Sequence, residues 1–271
     1  MPNSPMNIVL AADLKMAEQV LTTIKSICYH NKNICFYLLN KEYSTEWFTQ
    51  LNQYLNKIHC EIKDIKIAGE IRHNKTKHLS HISEVTWYRL LVGRLIEDKA
   101  LYLDCDIVVT GDLREVYQTD LQDNYVAAVH DAILNNVTHY YHEFPDIKPY
   151  FNAGVLLINA AKWRENNIDA QAFNMSNTYN FIYADQDLLN ILFLKKWLPL
   201  SSTYNYQTGA DVNAQMHGLP KDIQKTTDSI PKIIHFTTKF KPWLADVSCS
   251  FRQQYWFYYC LDWSAIIARH K

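Results

Sequence analysis

The sequence predicts an α/β fold with a mostly parallel central sheet, flanking helices and a small C-terminal helical appendage. Three observations carry this. Short apolar runs suited to buried strands alternate with segments of helical periodicity, an order that calls for crossover helices and parallel pairing. No Pro/Gly/Ser-rich linker, repeat or low-complexity tract divides the 271 residues. Hydrophobic residues make up 48% and charged residues 20%, the balance of a globular chain with a sizeable core. The economical division is one catalytic-size domain over 1–247 and a tail over 248–271.

The elements follow in order. Asn7 to Ala12 is an apolar run suited to a buried strand, and Val20, Leu21, Ile24, Ile27 and Cys28 then recur at helical spacing. Ile34 to Leu39 reads as a second strand, Thr45 to Ile58 as an amphipathic helix carrying Phe48, Leu51 and Leu55, and Cys60 to Ile67 as a third strand. The polar, basic stretch Arg72 to His81 has no signal of its own. A helix from Ser83 to Ile96 leads into a strongly apolar strand ending in Leu101-Tyr102-Leu103-Asp104-Cys105-Asp106-Ile107-Val108-Val109. Strands are expected at Tyr125 to Val129 and Ala153 to Ile158, and helices at Ala160 to Phe173 and Asp185 to Leu194. A late strand, Lys232 to Phe236, precedes a C-terminal helix from Gln253 to Ala268.

Composition removes several function classes. Lys and Arg total 27 against 28 Asp and Glu, a net charge of -1, so no nucleic-acid partner is expected. No apolar run reaches the ~18 residues of a membrane span, and the N-terminus has no signal-peptide core, so the chain reads as cytoplasmic. The six cysteines (Cys28, Cys35, Cys60, Cys105, Cys249 and Cys260) show no C-x-x-C spacing and read as free thiols. With only 6 glycines there is no Gly-rich phosphate loop, which leaves phosphate binding to side chains or a metal.

The chemistry concentrates at Asp104-Cys105-Asp106, after the apolar run Ala100 to Leu103. Residues two apart at a strand end point the same way, so both carboxylates project into one crevice and repel unless a cation lies between them. Ligands of open α/β sheets bind beyond the carboxyl ends of the strands, and a hard divalent ion there can grip a diphosphate. The competing reading is a turn pair facing solvent. His235, at the end of Ile233-Ile234, offers an imidazole as third ligand, and a carboxylate–imidazole set favours Mn²⁺ over Mg²⁺; Lys241 can meet phosphate. Alternatively His235 is satisfied by backbone groups. Asp185, Gln186 and Asp187 open a helix, where one of them serves as a cap and the others can face a sugar. Asn152-Ala153-Gly154 starts a strand with little bulk, Asp13 follows the first strand, and Arg89 sits mid-helix among apolar neighbours, either pairing a buried anion or snorkelling to the surface.

These residues and their order resemble glycosyltransferase family 8, nearest to the bacterial lipooligosaccharide α-galactosyltransferases and their glucosyltransferase relatives. The matching stretches are Ile8-Val9-Leu10-Ala11-Ala12-Asp13, His81-Ile82-Ser83 with Tyr88-Arg89-Leu90, and Leu101-Tyr102-Leu103-Asp104-Cys105-Asp106. They continue with Tyr150-Phe151-Asn152-Ala153-Gly154-Val155-Leu156-Leu157-Ile158-Asn159, Lys162-Trp163-Arg164, Asp185-Gln186-Asp187-Leu188-Leu189-Asn190, and His235 with Lys241-Pro242-Trp243.

The resemblance implies a GT-A fold with a Rossmann-like sheet, and a retaining transfer of hexose from a UDP-sugar to a saccharide in lipopolysaccharide or lipooligosaccharide biosynthesis. By the same likeness Mn²⁺, with Mg²⁺ as substitute, is held by Asp104, Asp106 and His235. Ala11 and Asp13 would line uridine and ribose, and Lys241 the diphosphate, with Cys105 and Thr238 also in the donor set. Arg89, Asn152, Ala153, Asp185 and Gln186 would surround the hexose, Gln186 and Asp185 serving catalysis. His81, Asp131 and Tyr183 match positions near the acceptor. The sequence departs from the family pattern at Lys15 and Met16, at Ser80, and at Thr238, which stands where a glycine is usual. The tail, rich in Phe, Tyr and Trp with Arg252, Arg269 and Lys271, suits either a helix on the inner-membrane surface near a lipid-linked acceptor or one packed on the domain itself. Two rival functions fit less of the chain: a haloacid-dehalogenase-like phosphotransferase using Asp104, and a non-catalytic sugar-nucleotide or glycan-binding protein.

Overall fold

The first third of the chain folds as its periodicity dictates. β1 (Met6–Ala11), α1 (Ala17–His30), β2 (Ile34–Asn40), α2 (Thr45–Leu55) and β3 (Glu61–Lys66) make two crossover units. Their strands pair in parallel, Ile8 opposite Phe36 and Phe36 opposite Ile62. Ser44 caps α2 by accepting from the Trp47 amide at 3.3 Å. The computed structural model describes residues 4–68, 84–136, 146–179, 181–210, 214, 216, 218–220, 224, 226 and 228–271. The basic stretch from Arg72, with Ser80 and the candidate His81, lies outside the described residues.

A 3₁₀ helix over Glu84–Leu91 runs into α3 (Val92–Leu95), β4 (Lys99–Leu103) and β5 (Ile107–Val109). There follow α4 (Arg114–Gln118), β6 (Val126–His130), β7 (Phe151–Asn159), α5 (Ala160–Glu165), α6 (Ile168–Thr178) and α7 (Ala184–Leu192). β8 (Trp197–Pro199), β9 (Tyr206–Gln207), β10 (Ile233–His235), α8 (Arg252–Tyr259) and α9 (Trp263–Arg269) complete the described elements. The seven-stranded sheet has the order β3-β2-β1-β4-β7-β6-β8, with β7 antiparallel to both β4 and β6. β5, β10 and β9 form a second sheet.

The predicted fold class holds, and several element bounds change. The apolar run through Asp104-Cys105-Asp106 is two strands in two sheets, because the three residues bend the chain from β4 to β5. The helix expected over Ser83 to Ile96 is mostly 3₁₀. Over eight residues the two windings place i and i+3 together almost equally, so Trp87 and Leu90 could not separate them. The helix from Ala160 breaks where Asn167 turns left-handed at φ 50, a conformation asparagine tolerates.

Alternation along the strands builds two cores, one on each sheet face. Ile8 and Leu10 of β1 and Leu101 and Leu103 of β4 pack toward Val20, Ile24 and Leu51. Val9, Ala100 and Tyr102 face Trp87, Leu90, Trp163 and Leu188. α1 also supplies buried hydroxyls to the bend: Thr23 donates to the carbonyls of Cys105 at 3.1 Å and Ile107 at 2.8 Å, and Ser26 accepts from the Val109 amide at 2.9 Å. Those bonds satisfy backbone groups that no strand pairs, fixing the place where the two carboxylates emerge.

The tail divides its aromatics. Tyr255, Tyr258 and Ile266 are buried, Tyr255 and Tyr258 against the β5–β10 sheet, whereas Trp256 and Phe257 are exposed. The Arg252 guanidinium donates to the carbonyls of Pro242 (2.9 Å), Leu244 (2.9 Å) and Val247 (3.0 Å), and Trp256 Nε1 donates to Pro242 O at 3.1 Å. The tail is thereby tied to the segment that carries Lys241 and Trp243. Among the described residues no helix is long and apolar enough to cross a membrane.

Candidate active site

The bend after β4 and the end of β10 bring Asp104, Asp106 and His235 together, with one ligand atom of each within 4.8 Å of the others. His235 Nε2 lies 3.2 Å from Asp106 Oδ1 and 3.8 Å from Asp104 Oδ2. Two carboxylates and an imidazole on one point are the donor set of a divalent ion. The start of β7 leaves room for it. A methyl group at Gly154 would meet His235 Cε1 at 2.2 Å and Asp104 Oδ2 at 2.9 Å, so the ligands close over the only residue type that admits them. Gly154→Ala should therefore weaken Mn²⁺ binding about 10–100-fold without removing a ligand, as measured by spin resonance of free Mn²⁺. Unchanged binding would refute the steric argument.

Charge partners hold the two carboxylates apart. Lys241 Nζ is 2.5 Å from Asp106 Oδ2. Burial alone would raise the Asp106 pKa, but Lys241 and His235 prevail and keep the carboxyl well below the usual carboxylate range. Asp104 Oδ1 accepts from Arg89 Nη2 at 3.0 Å and from Tyr102 OH at 2.9 Å.

Arg89, only 5% exposed, spans to the neighbouring hollow. Nη1 donates to Ala153 O at 2.5 Å, Nε donates to Thr86 O at 3.1 Å and lies 2.8 Å from Asp185 Oδ2, and the guanidinium stacks on Tyr102. The buried-anion reading of Arg89 is the one the structure displays. Burial pushes Asp185 up to about 7, with Arg89 opposing the shift and Asp104 adding to it. Of the three polar residues opening α7, Asp187 is the cap, accepting from the Tyr183 amide at 2.8 Å and from Tyr150 OH at 2.6 Å. That leaves Asp185 and Gln186 to face the hollow. Gln186 Oε1 accepts from the Ala153 amide at 2.9 Å, and its Nε2 donates to Asp131 Oδ2 at 3.3 Å.

Two connected hollows result. The smaller, about 270 Å³, is bounded by Asn152, Ala153, Tyr183, Asp185, Gln186 and His235. The larger, about 740 Å³, is bounded by Ala11, Asp13, Asp106, Thr238, Lys241 and Trp243; Arg89 and Asp104 line both. Cys105 lies at the floor of the larger, donating from Sγ to Ala11 O at 3.3 Å. Asp13 Oδ1, buried at the far end, has no hydrogen-bond partner among the described residues and awaits a donor. Met16 borders this cleft and Lys15 is exposed.

Thr238 adopts φ 71, where a β-branched residue is strained, so the departure from glycine has a visible cost. Thr238→Gly should raise stability by about 0.5–1 kcal/mol in urea unfolding, the relief of strain outweighing glycine's greater unfolded entropy. A fall in stability would contradict this.

Every predicted site residue among those described borders these hollows or, like Asp131, touches a residue that does. Sequence reasoning missed Tyr102, Thr86 and Asn205. Asn205, fully buried, lies with its side chain 3.0 Å from His235 Nδ1, yet stands in Thr203-Tyr204-Asn205-Tyr206 with no periodicity or motif to mark it.

The profile of "Glycosyl transferase family 8" matches residues 7–247. Glycosyltransferase GlyA of Streptococcus pneumoniae is 38% identical over 268 residues, covering 97% of this chain and 36% of GlyA. GlyF of the same organism is 34% identical, covering 96% of this chain and 63% of GlyF. The chain thus spans from about a third to under two thirds of these relatives. The crystal structure of GlyE from S. pneumoniae superposes with a TM-score of 0.84 at 32% identity, covering 98% of this chain and 63% of that one. Galactosyltransferase LgtC, in complex with donor and acceptor sugar analogs, superposes at 0.79 with 26% identity, covering 94% and 95%. Neither the phosphotransferase reading nor the non-catalytic one is favoured by these matches.

Proposed function

The chain belongs to glycosyl transferase family 8, and from that premise we propose that it moves a hexose from UDP to a saccharide acceptor with retention of anomeric configuration. The observation that carries the proposal is the Asp104–Asp106–His235 cluster at the junction of the two hollows, with Lys241 on one side and Gln186 on the other. In this reading the larger cleft takes the nucleotide, Ala11 and Asp13 meeting uridine and ribose, Lys241 the diphosphate, and Cys105 and Thr238 the wall between them. The smaller takes the sugar, against Arg89, Asn152, Ala153, Asp185 and Gln186. Galactose is favoured over glucose by the likeness to LgtC.

Asp104, Asp106 and His235 would hold Mn²⁺, or Mg²⁺ in its place, whose charge stabilises the departing diphosphate. The chain's own residues do the rest. Lys241 adds a positive charge where the leaving group develops a negative one. Gln186 Oε1, pinned by the Ala153 amide, presents a partial negative charge to the oxocarbenium-like carbon; an uncharged amide is a poor nucleophile, which favours front-face substitution with the leaving phosphate taking the acceptor proton. Asp131 and Tyr183, with His81, would meet the acceptor.

The acceptor is a free or lipid-linked saccharide of the lipopolysaccharide or lipooligosaccharide class, met on the cytoplasmic face of the inner membrane. The exposed Trp256 and Phe257 are the part of the tail left to touch a bilayer. Trp256→Ser with Phe257→Ser should halve flotation with anionic vesicles at least; equal flotation would remove the membrane from this reading.

The central test is a donor screen. Each UDP-sugar is incubated with Mn²⁺ or Mg²⁺, and slow release of UDP is scored without acceptor. UDP-galactose should turn over fastest, and the product should keep the α configuration by NMR. Silence with every UDP-sugar would overturn the proposal.

A further inference from the structure

Hydrogen-bond polarity around His235 can be read from one unambiguous donor. The Gly154 backbone N–H can only donate, and it lies 3.1 Å from one atom of the Asn152 amide, which must be Oδ1. That same oxygen is 2.9 Å from an atom of the Asn205 amide, which must be the NH₂ group. The remaining Asn205 atom, 3.0 Å from His235 Nδ1, is therefore an oxygen that can only accept. The far end of the chain agrees, since Asn152 Nδ2 donates to the Asp131 carboxylate at 3.3 Å.

We infer that Asn205 is a positioning residue: it fixes a hydrogen on His235 Nδ1, leaving Nε2 as the nitrogen offered to a cation. Nε2 is the nitrogen turned toward Asp104 and Asp106. Asn205 and His235 are both buried, so no water competes for the Nδ1 hydrogen. The relay also joins the two halves of the site, because Asp131 accepts from both Asn152 and Gln186. The orientation of the histidine ring and that of the glutamine amide are consequently set by backbone N–H groups on adjacent residues, Gly154 and Ala153.

This inference rests on the cation site proposed above, and its test keeps the two separable. In metal-free protein labelled with ¹⁵N-histidine, long-range ¹H–¹⁵N spectra should show His235 Nδ1 protonated, the resonance being assigned by its loss in His235→Gln. An unprotonated Nδ1 overturns the inference. Spin resonance of free Mn²⁺, without substrate, then gives affinities. Asn205→Leu should bind about 10–100-fold more weakly, whereas Asn205→Asp, which still accepts from Nδ1 but loses the donor to Asn152, should recover most of the affinity. A merely structural role predicts that both variants fail alike, and unchanged binding in Asn205→Leu also refutes the assignment. If the wild type binds no Mn²⁺, the cation site falls, and the nitrogen spectrum still decides the tautomer.

Discussion

Asp106→Asn should lower transfer from a UDP-hexose roughly 10³-fold, with Mn²⁺ affinity falling in parallel and the fold intact by circular dichroism. The substitution keeps the shape of the side chain and removes the charge that Lys241 and His235 both face. Three groups meet within 4.8 Å at the cluster, so losing one of two carboxylates removes half of the formal negative charge offered to a cation. The Lys241 ammonium, no longer paired at Asp106, would then repel any ion that enters. On the proposed assignment of the two hollows, both changes act on the leaving group's charge and leave sugar binding alone. Near-normal turnover in this variant would mean that the cluster does not take part in the reaction.

The largest effect on stability is expected at Arg89. Arg89→Met preserves much of the volume, yet it strands the buried Asp185, takes one of two donors from Asp104 and frees the carbonyl of Ala153. Removing one partner of a buried ion pair costs about 3–5 kcal/mol, because the remaining charge keeps its desolvation penalty. Urea unfolding should show that loss as a lower midpoint at unchanged slope. Adding Asp185→Asn should recover part of it, since one stranded carboxylate disappears; the two substitutions will not add. A loss below about 1 kcal/mol would imply that water reaches the guanidinium, in conflict with its 5% exposure.

How far the sequence could be read depended on whether a signal was local. The runs Ile8 to Ala11 and Leu101 to Leu103 declare buried strands because their hydrophobicity is continuous, and the spacing of Asp104 and Asp106 declares a shared crevice. The break between Leu103 and Ile107 was not legible, since an apolar run looks the same whether its two halves join one sheet or two. Thr23 and Ser26 read as ordinary polar positions on α1, yet they hold the bend by donating to and accepting from its backbone, respectively, across more than eighty residues of sequence. Asn205 is invisible for the same reason: its partners Asn152 and His235 are distant along the chain. Motif reasoning finds groups that would touch a ligand; it does not find the groups that aim them.

The Arg252 and Trp256 bonds to the 242–247 segment have a thermodynamic consequence. A ligand that orders Lys241 and Trp243 must also tighten the tail, and by reciprocity a docked tail must tighten the ligand. Trp243 packs against Tyr255 with ring centroids 5.4 Å apart, while Trp256 reaches the Pro242 carbonyl. Two indoles thus sit on this linkage, so filling the larger hollow should change tryptophan emission, and the change should shrink when Trp243 is replaced by Phe.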